Sequence, residues 1–306
     1  MRFIIFLLLL FISPSADARI LHVGSNTIKL SQTKTTSPAL HIKVDNEIWY
    51  GTMLPTFIQN TLHIRHNTVD YSVLGYVFDE NKRLIDANEN IYLKGTGTQW
   101  IDTNHIPTLV TRTEMELKFS DDEYKDTGYE SFFGVGDLNA NSGYSINFGS
   151  AKSQGYNVLP WICHYKGTGG PSWCNSFGSI LIDKNLKTSK QTVILDAKNN
   201  YAQYGTRQHS LQGRKTTESY AIVLFGTRRV EKDGSEKIRS YSRNDAMYIY
   251  STKIYEDDVL IRHFVPVPSG LKIGDFIVPE NGMWDIVEQK FYGNMGTGEF
   301  IYGIDE

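Results

Sequence analysis

From Glu114 to Phe119 the chain alternates polar and apolar residues. Met115, Leu117 and Phe119 point to one side of an extended backbone, Glu114, Glu116 and Lys118 to the other. Period-two alternation predicts a half-buried β-strand. Similar runs recur at Ser131–Val135, Tyr144–Phe148, Asn157–Ile162, Ser179–Ile182, Gln191–Asp196, Tyr201–Tyr204 and Tyr220–Phe225, with Gly or Asn between them. In Met247–Tyr255, Ile249, Ser251, Lys253 and Tyr255 are expected on one face and Tyr250, Thr252 and Ile254 on the other. Glu256-Asp257-Asp258 then makes a polar turn before Val259-Leu260-Ile261, which predicts a hairpin. Asn294-Met295-Gly296-Thr297-Gly298 is a second predicted turn, joining Lys290-Phe291-Tyr292 to Glu299–Tyr302. No stretch has the period of an amphipathic helix, and no internal repeat stands out. Strands at this spacing predict an all-β, two-sheet antiparallel sandwich.

Upstream lies a smaller patterned region. Leu40, Ile42 and Val44 alternate with His41, Lys43 and Asp45, Asp45-Asn46 turns the chain, and Ile48-Trp49-Tyr50 runs back. Leu62–Arg65 and Tyr71–Phe78 continue the pattern. The expected organisation is therefore a linker at 19–38, a small β unit at 39–88 and the large sandwich at 89–306. Residues 1–18 read as a secretory signal peptide: Arg2, ten apolar residues from Phe3 to Ile12, and a small-x-small site at Ala16-Asp17-Ala18. Ten apolar residues are too few to span a bilayer. The expected location is secreted, periplasmic or at the cell surface, with no membrane span.

Charge narrows the partners. Removing Arg2 and Asp17 takes 31 Lys+Arg and 34 Asp+Glu to 30 and 33, with no basic block, which argues against nucleic acid. The 18 Tyr and 26 Gly suit a strand-and-turn protein. Cys163 and Cys174, the only cysteines, flank the turn-rich His164–Trp173 insert. In a chain bound for an oxidising compartment they are expected to form a disulfide, stabilising by about 3 kcal/mol through loop closure.

The phrase Gly95-Thr96-Gly97-Thr98-Gln99-Trp100-Ile101-Asp102-Thr103, taken with Met247–Val267 and Met283–Phe300, resembles the concanavalin A-like lectin/glucanase jelly roll. The likeness is to its laminin-G-like form in secreted bacterial or phage surface proteins, and it covers about residues 91 to 303. It implies a jelly-roll sandwich, and a fold that hosts binding modules and hydrolases alike. Trp100 stands where such domains usually carry Tyr and is expected in the core. Asn104 stands where they carry Gly, at a position of positive φ. His263 replaces the usual Asp or Asn.

The resemblance suggests three functional classes. A lectin-like module needs aromatic faces for sugar C–H surfaces and amides or carboxylates for hydroxyls. Trp161, His164, Tyr165 and Trp173, with Asn157 and Asn175, supply these around the Cys loop, and Tyr201, Gln203, Tyr204 and Arg207 form a second group. A structural or adhesive surface protein would use the sandwich to contact other proteins. A glycoside hydrolase would need two or three acids at alternate strand positions; Glu114 and Glu116 are the one such pair, but Lys118 occupies the next position. Calcium, used by some domains of this type, could find oxygens at Asp121-Asp122-Glu123 or Asp257-Asp258, although neither turn has a recognisable ligand spacing. A non-catalytic carbohydrate-binding module is the expectation, with no cofactor required.

Overall fold

The computed structural model describes residues 19–23, 26–31, 39–44, 47–52, 63–66, 69–72, 76–120, 130–137, 142–148, 188–210, 218–240 and 246–305. Their regular structure is β throughout, with no helical run beyond the single residue Thr188. Among them no helix is long and apolar enough to cross a membrane. The chain falls into two compact units, 1–86 with 270–276, and 87–269 with 277–306.

In the smaller unit, one four-stranded sheet runs in the order Arg19–Val23, Asn26–Ser31, Glu47–Thr52, Ala39–Val44. A second runs His63–His66, Val69–Ser72, Tyr76–Phe78, Leu84–Ala87. The predicted linker is thus corrected in its first part, since Arg19–Val23 and Asn26–Ser31 form an antiparallel pair. Residues 270–276, expected in the sandwich, group with this unit instead.

In the larger unit, Thr111–Phe119 is the clearest statement of sequence dictating structure. Its burial alternates without exception over nine residues. The strand lies between Gln191–Asp196 and Met247–Glu256, antiparallel to both. Outwards from these, the ten-stranded sheet continues through Tyr201–Tyr204 to Arg207–Ser210 on one side, and through Val259–Val267 and Gly282–Asp285 to Lys290–Tyr292 on the other. Ile91–Gly95 pairs with the first residues of Met247–Glu256 and with Ile301–Ile304. A six-stranded sheet is built around Glu130–Asp137, which pairs antiparallel with Ser142–Phe148 and Val223–Leu224, and parallel with Gly226–Val230. That parallel pair is the one departure from the antiparallel expectation among the described pairings. Of the run expected over Tyr220–Phe225, only Val223–Leu224 is strand.

The two sheets share one core. Met115, Leu117, Phe119, Val193, Leu195 and Ile249 of the larger sheet pack with Phe132, Phe133, Val135, Tyr144 and Ile146 of the smaller. Phe132 bridges the layers, with ring centroids 5.4 Å from Phe119 and 6.4 Å from Tyr204. One polar tie crosses the same gap. The fully buried Tyr144 hydroxyl donates to the Leu195 carbonyl at 2.8 Å and lies 3.0 Å from Thr113 Oγ1.

Some of the local expectations are met and others are corrected. The hairpin at 256–259 is present, with Asp257 and Asp258 at φ 50° and 66°, the left-handed pair of a two-residue type I′ turn. Asn104 does occupy positive φ, at 55°. By contrast, Lys290–Tyr292 and Ile301–Ile304 do not form a hairpin, since the first pairs with Gly282–Asp285 and the second with Ile91–Gly95. The Asn294–Gly298 turn is pinned on the Thr98–Trp100 segment instead. Met295 N–H donates to the Trp100 carbonyl, Thr297 N–H to the Thr98 carbonyl, and Gln99 Nε2 to the Glu299 carbonyl. A Cβ on Gly296 would sit 2.8 Å from Trp100 Cδ1 and closer still to the Thr98 carbonyl, so only glycine permits this approach. Trp100, expected in the core, is half-buried.

A further correction is one of phase. The register shifts between Glu116 and Leu117, so that Glu116 faces Ser251 while Leu117 faces Ile249, leaving Tyr250 as an extra residue. This β-bulge inverts the alternation. Met247 and Ile249 point into the core before it, Thr252 and Ile254 after it, and Tyr250 joins Ser251, Lys253 and Tyr255 on the opposite side. The bulge also lies where the flanking partner of this strand changes from Ile91–Gly95 to Val259–Val267.

Replacing Tyr144 by Phe removes the inter-sheet hydroxyl while keeping the ring. It is expected to lower stability by about 1–2 kcal/mol, seen as a lower denaturant midpoint at unchanged m-value. An unchanged midpoint would mean that this bond does not tie the layers.

Candidate functional site

The face of the ten-stranded sheet turned away from the core is polar and rich in tyrosine. On the central strand it presents Arg112, Glu114, Glu116 and Lys118. Consecutive same-face residues lie about 6.7 Å apart, so these four span roughly 20 Å. Each end carries an aromatic group.

At the Arg112 end, the guanidinium lies over the Tyr255 ring at 4.1 Å from its centroid and 3.4 Å from Glu114. Tyr255 Oη donates to Glu114 Oε2 at 3.4 Å. Asp196, directly opposite Arg112, is also opposite Tyr201, which brings that half-buried tyrosine to the same corner. Burial raises the hydroxyl pKa of both Tyr201 and Tyr255, and the carboxylates Asp196 and Glu114 respectively add to the rise. Both phenols therefore stay protonated and able to donate.

At the Lys118 end, register fixes a row across the sheet. Lys118 is opposite Tyr248, Tyr248 opposite Lys94, and Lys94 opposite Ile301. The Lys118 ammonium is 5.1, 5.8 and 5.9 Å from the ring centroids of Tyr248, Tyr250 and Tyr92. Asp305 holds that arrangement, 2.5 Å from Lys118 Nζ and accepting from Tyr250 Oη. Tyr92 stacks edge-on to Tyr248 at 4.9 Å. Gly303 makes room for it, since a Cβ there would overlap the Tyr92 ring, 2.8 Å from Cε2. Between the two ends, Glu116 binds Lys190 at 3.4 Å and accepts from Ser251 Oγ at 3.4 Å.

The expected site residues divide three ways. Tyr201 lies on this face, as does the half-buried Gln203, whose amide donates to the Gly205 carbonyl at 2.7 Å. Tyr204 is corrected: it is 1% exposed and packed in the core, because it sits at the opposite parity of its strand from Gln203, and so offers no face for stacking. Arg207, in the neighbouring strand, is exposed. Trp161, Cys163, His164, Tyr165, Trp173, Cys174 and Asn175, with Asn157, lie outside the described residues, as does Asp121-Asp122-Glu123. The Asp257-Asp258 turn holds the Lys198 ammonium, 2.7 and 2.5 Å from the two carboxylates. Among the described residues no cluster of three or more His, Cys, Asp or Glu could hold a metal ion.

Tyr92, Tyr248, Tyr255, Lys94 and Asp305 were not singled out from sequence. Their signal was present in IYLKG and MYIYSTKIYE, where Tyr and Lys alternate with buried aliphatics. The bulge hid it, since Tyr250 and Ser251 share a face that simple alternation denies them. Glu114 and Glu116 do share a face, but each is engaged by a cation, and Lys118 follows them.

Beside this face, His263 lies opposite Lys253. Burial pushes its imidazole pKa down to about 4, and the Lys253 charge adds to the shift. Behind it, the buried Asp285 accepts from the His263 and Val287 backbone N–H groups at 2.9 Å each, and its carboxyl pKa is raised by burial. No protein-family model matches the chain, and no curated protein or solved structure is significantly similar to it.

His263 sets a pH dependence. Its folded pKa of about 4 lies below the unfolded 6.5, so the unfolded chain binds the proton more readily between these values. The stability from keeping the ring neutral is complete above pH 6.5 and is lost as pH falls towards 4. Between pH 7 and pH 5 the loss is expected to be about 2 kcal/mol. His105 adds to it, since burial also lowers its pKa, with its Glu256 contact opposing. A His263→Gln variant should show a flatter stability profile over this range in urea titrations. A profile as steep as the parent's would remove His263 as the cause.

Proposed function

We propose that the larger unit is a concanavalin A-like jelly roll acting as a secreted, non-catalytic carbohydrate-binding module. The observation that carries this reading is the tyrosine-lined polar face of the ten-stranded sheet. Half-buried Tyr92, Tyr201, Tyr248 and Tyr255 offer ring surface to sugar C–H groups, beside carboxylates and an amide that bind hydroxyls. These groups sit on strands and are held by ion pairs and hydrogen bonds, so little order is left to impose on binding. A strip of roughly 20 Å suits several linked sugar rings rather than one. The Cys163–Cys174 loop, with Trp161, His164, Tyr165, Trp173 and Asn175, is the second proposed contact.

Absence of chemistry is part of the proposal. Glu114 and Glu116, paired with Arg112 and Lys190, are poorly placed to serve as nucleophile and acid. A protein-contacting, adhesive role is the second reading. It is favoured by exposed Ile106, Leu109, Val259 and Leu260, on two segments tied together by the His105–Glu256 contact of 2.9 Å.

The test is retention of the secreted chain on a panel of immobilised polysaccharides. Tyr248→Ala and Tyr255→Ala should each weaken binding about three- to tenfold, the worth of one aromatic contact. Trp161→Ala and Trp173→Ala report on the Cys loop. Retention on no glycan would favour the adhesive reading, and wild-type binding by both tyrosine variants would remove the sheet face as the site.

A further inference from the structure

Every carboxylate on the polar face already has a partner. Glu114 has Arg112, Glu116 has Lys190, Asp305 has Lys118, and Asp196 accepts from Asn199 through both its backbone and side-chain N–H groups. Among the described residues, two ammonium groups do not. Lys94 lies over the Tyr248 ring at 5.2 Å, and no carboxylate among the described residues reaches it. Lys253 faces Glu114 across the register without closing an ion pair, and its charge instead bears on His263. In a chain of net charge −3, the charge left over on this face is therefore positive.

The placement of the two cations is informative. Lys94 is directly beside Tyr248, and Lys253 is two residues from Tyr255 on the same side of the strand. Each aromatic group thus has one uncompensated ammonium next to it. By register the two positions lie opposite Lys118 and Glu114, roughly 13 Å apart along the strand direction, too far for a single sugar acid to touch both. A ring stacked on tyrosine with a carboxylate borne on the ring itself brings its anion to the adjacent ammonium, and a chain of such rings repeats the contact at the other end.

We infer that the ligand of this face is a linear, uronate-containing polysaccharide, with Tyr248 and Tyr255 taking sugar rings and Lys94 and Lys253 their carboxylates. This rests on the carbohydrate-binding reading and narrows it. The two lysines are half-buried on strands and, among the described residues, hold no ion pair, so changing them leaves the fold in place. Arg112, Lys118 and Lys190 are the cations already engaged by internal partners.

The probes are oligogalacturonates of one to six rings, neutral cello-oligosaccharides of the same lengths and a sulfated polymer, titrated calorimetrically into the full secreted chain. Binding is expected to strengthen at least tenfold from one to six uronate rings and to weaken with added salt. The hexamer is expected to bind at least tenfold more tightly than its neutral counterpart. Lys94→Gln and Lys253→Gln should each cost three- to tenfold towards the acidic hexamer and clearly less towards the neutral one, while Lys94→Arg retains most of the affinity for the acidic hexamer. Equal affinity for neutral and acidic hexamers, or no effect of either Gln variant, overturns the inference while leaving glycan binding intact. Equally tight capture of the sulfated polymer overturns it too, since charge alone would then be read. Failure of every glycan to bind defeats the broader reading.

Discussion

The larger unit depends on one constraint, the two-sidedness of Thr111–Phe119. A strand sends successive side chains to opposite faces, and here both faces are committed. Met115, Leu117 and Phe119 enter the core shared with the second sheet, while Arg112, Glu114, Glu116 and Lys118 organise the polar face. Because this strand is paired on both edges, a slip of one residue would exchange the two sets, placing four charges among aromatic rings. Register and candidate site are set by the same packing.

The bulge at Tyr250 shows how a local irregularity is used. Without it, Tyr250 would follow the parity of Thr252 and Ile254 and point into the core. With it, Tyr250 points outward, 2% exposed, beneath Tyr92 and Tyr248 and bonded to Asp305. The extra residue falls where the strand exchanges one neighbour for another. The pairing on that side is already interrupted there, so the bulge forfeits little ladder.

The ion pairs of the polar face have a role other than stability. Lys118–Asp305, Arg112–Glu114 and Lys190–Glu116 are all partly solvated, and such pairs contribute about 0–1 kcal/mol each. What they supply is position. Asp305 brings an ammonium within reach of three tyrosine rings, and Arg112 lies against Tyr255 while holding the carboxylate to which that phenol donates. Stability comes from the aromatic core and the Tyr144 bond across it.

Period-two alternation, glycine and asparagine at turns, and the Asp257-Asp258 dipeptide are local signals, and by themselves they determined an all-β chain, the strands Gln191–Asp196 and Tyr201–Tyr204, the hairpin at 256–259 and the outward face of Glu114 and Glu116. Long-range choices left no such mark. Tyr204 and Tyr201 are equally tyrosine in sequence, and only strand parity against the second sheet made one core and the other surface. The Asn294–Gly298 turn reads as a hairpin, yet its hydrogen bonds go to Thr98–Trp100, nearly two hundred residues away. The grouping of Tyr92, Lys118, Tyr248 and Asp305 arises from the pairing of four strands distant in sequence, and which strands pair is decided by burial of their apolar faces, a property of the assembled sheet rather than of any segment.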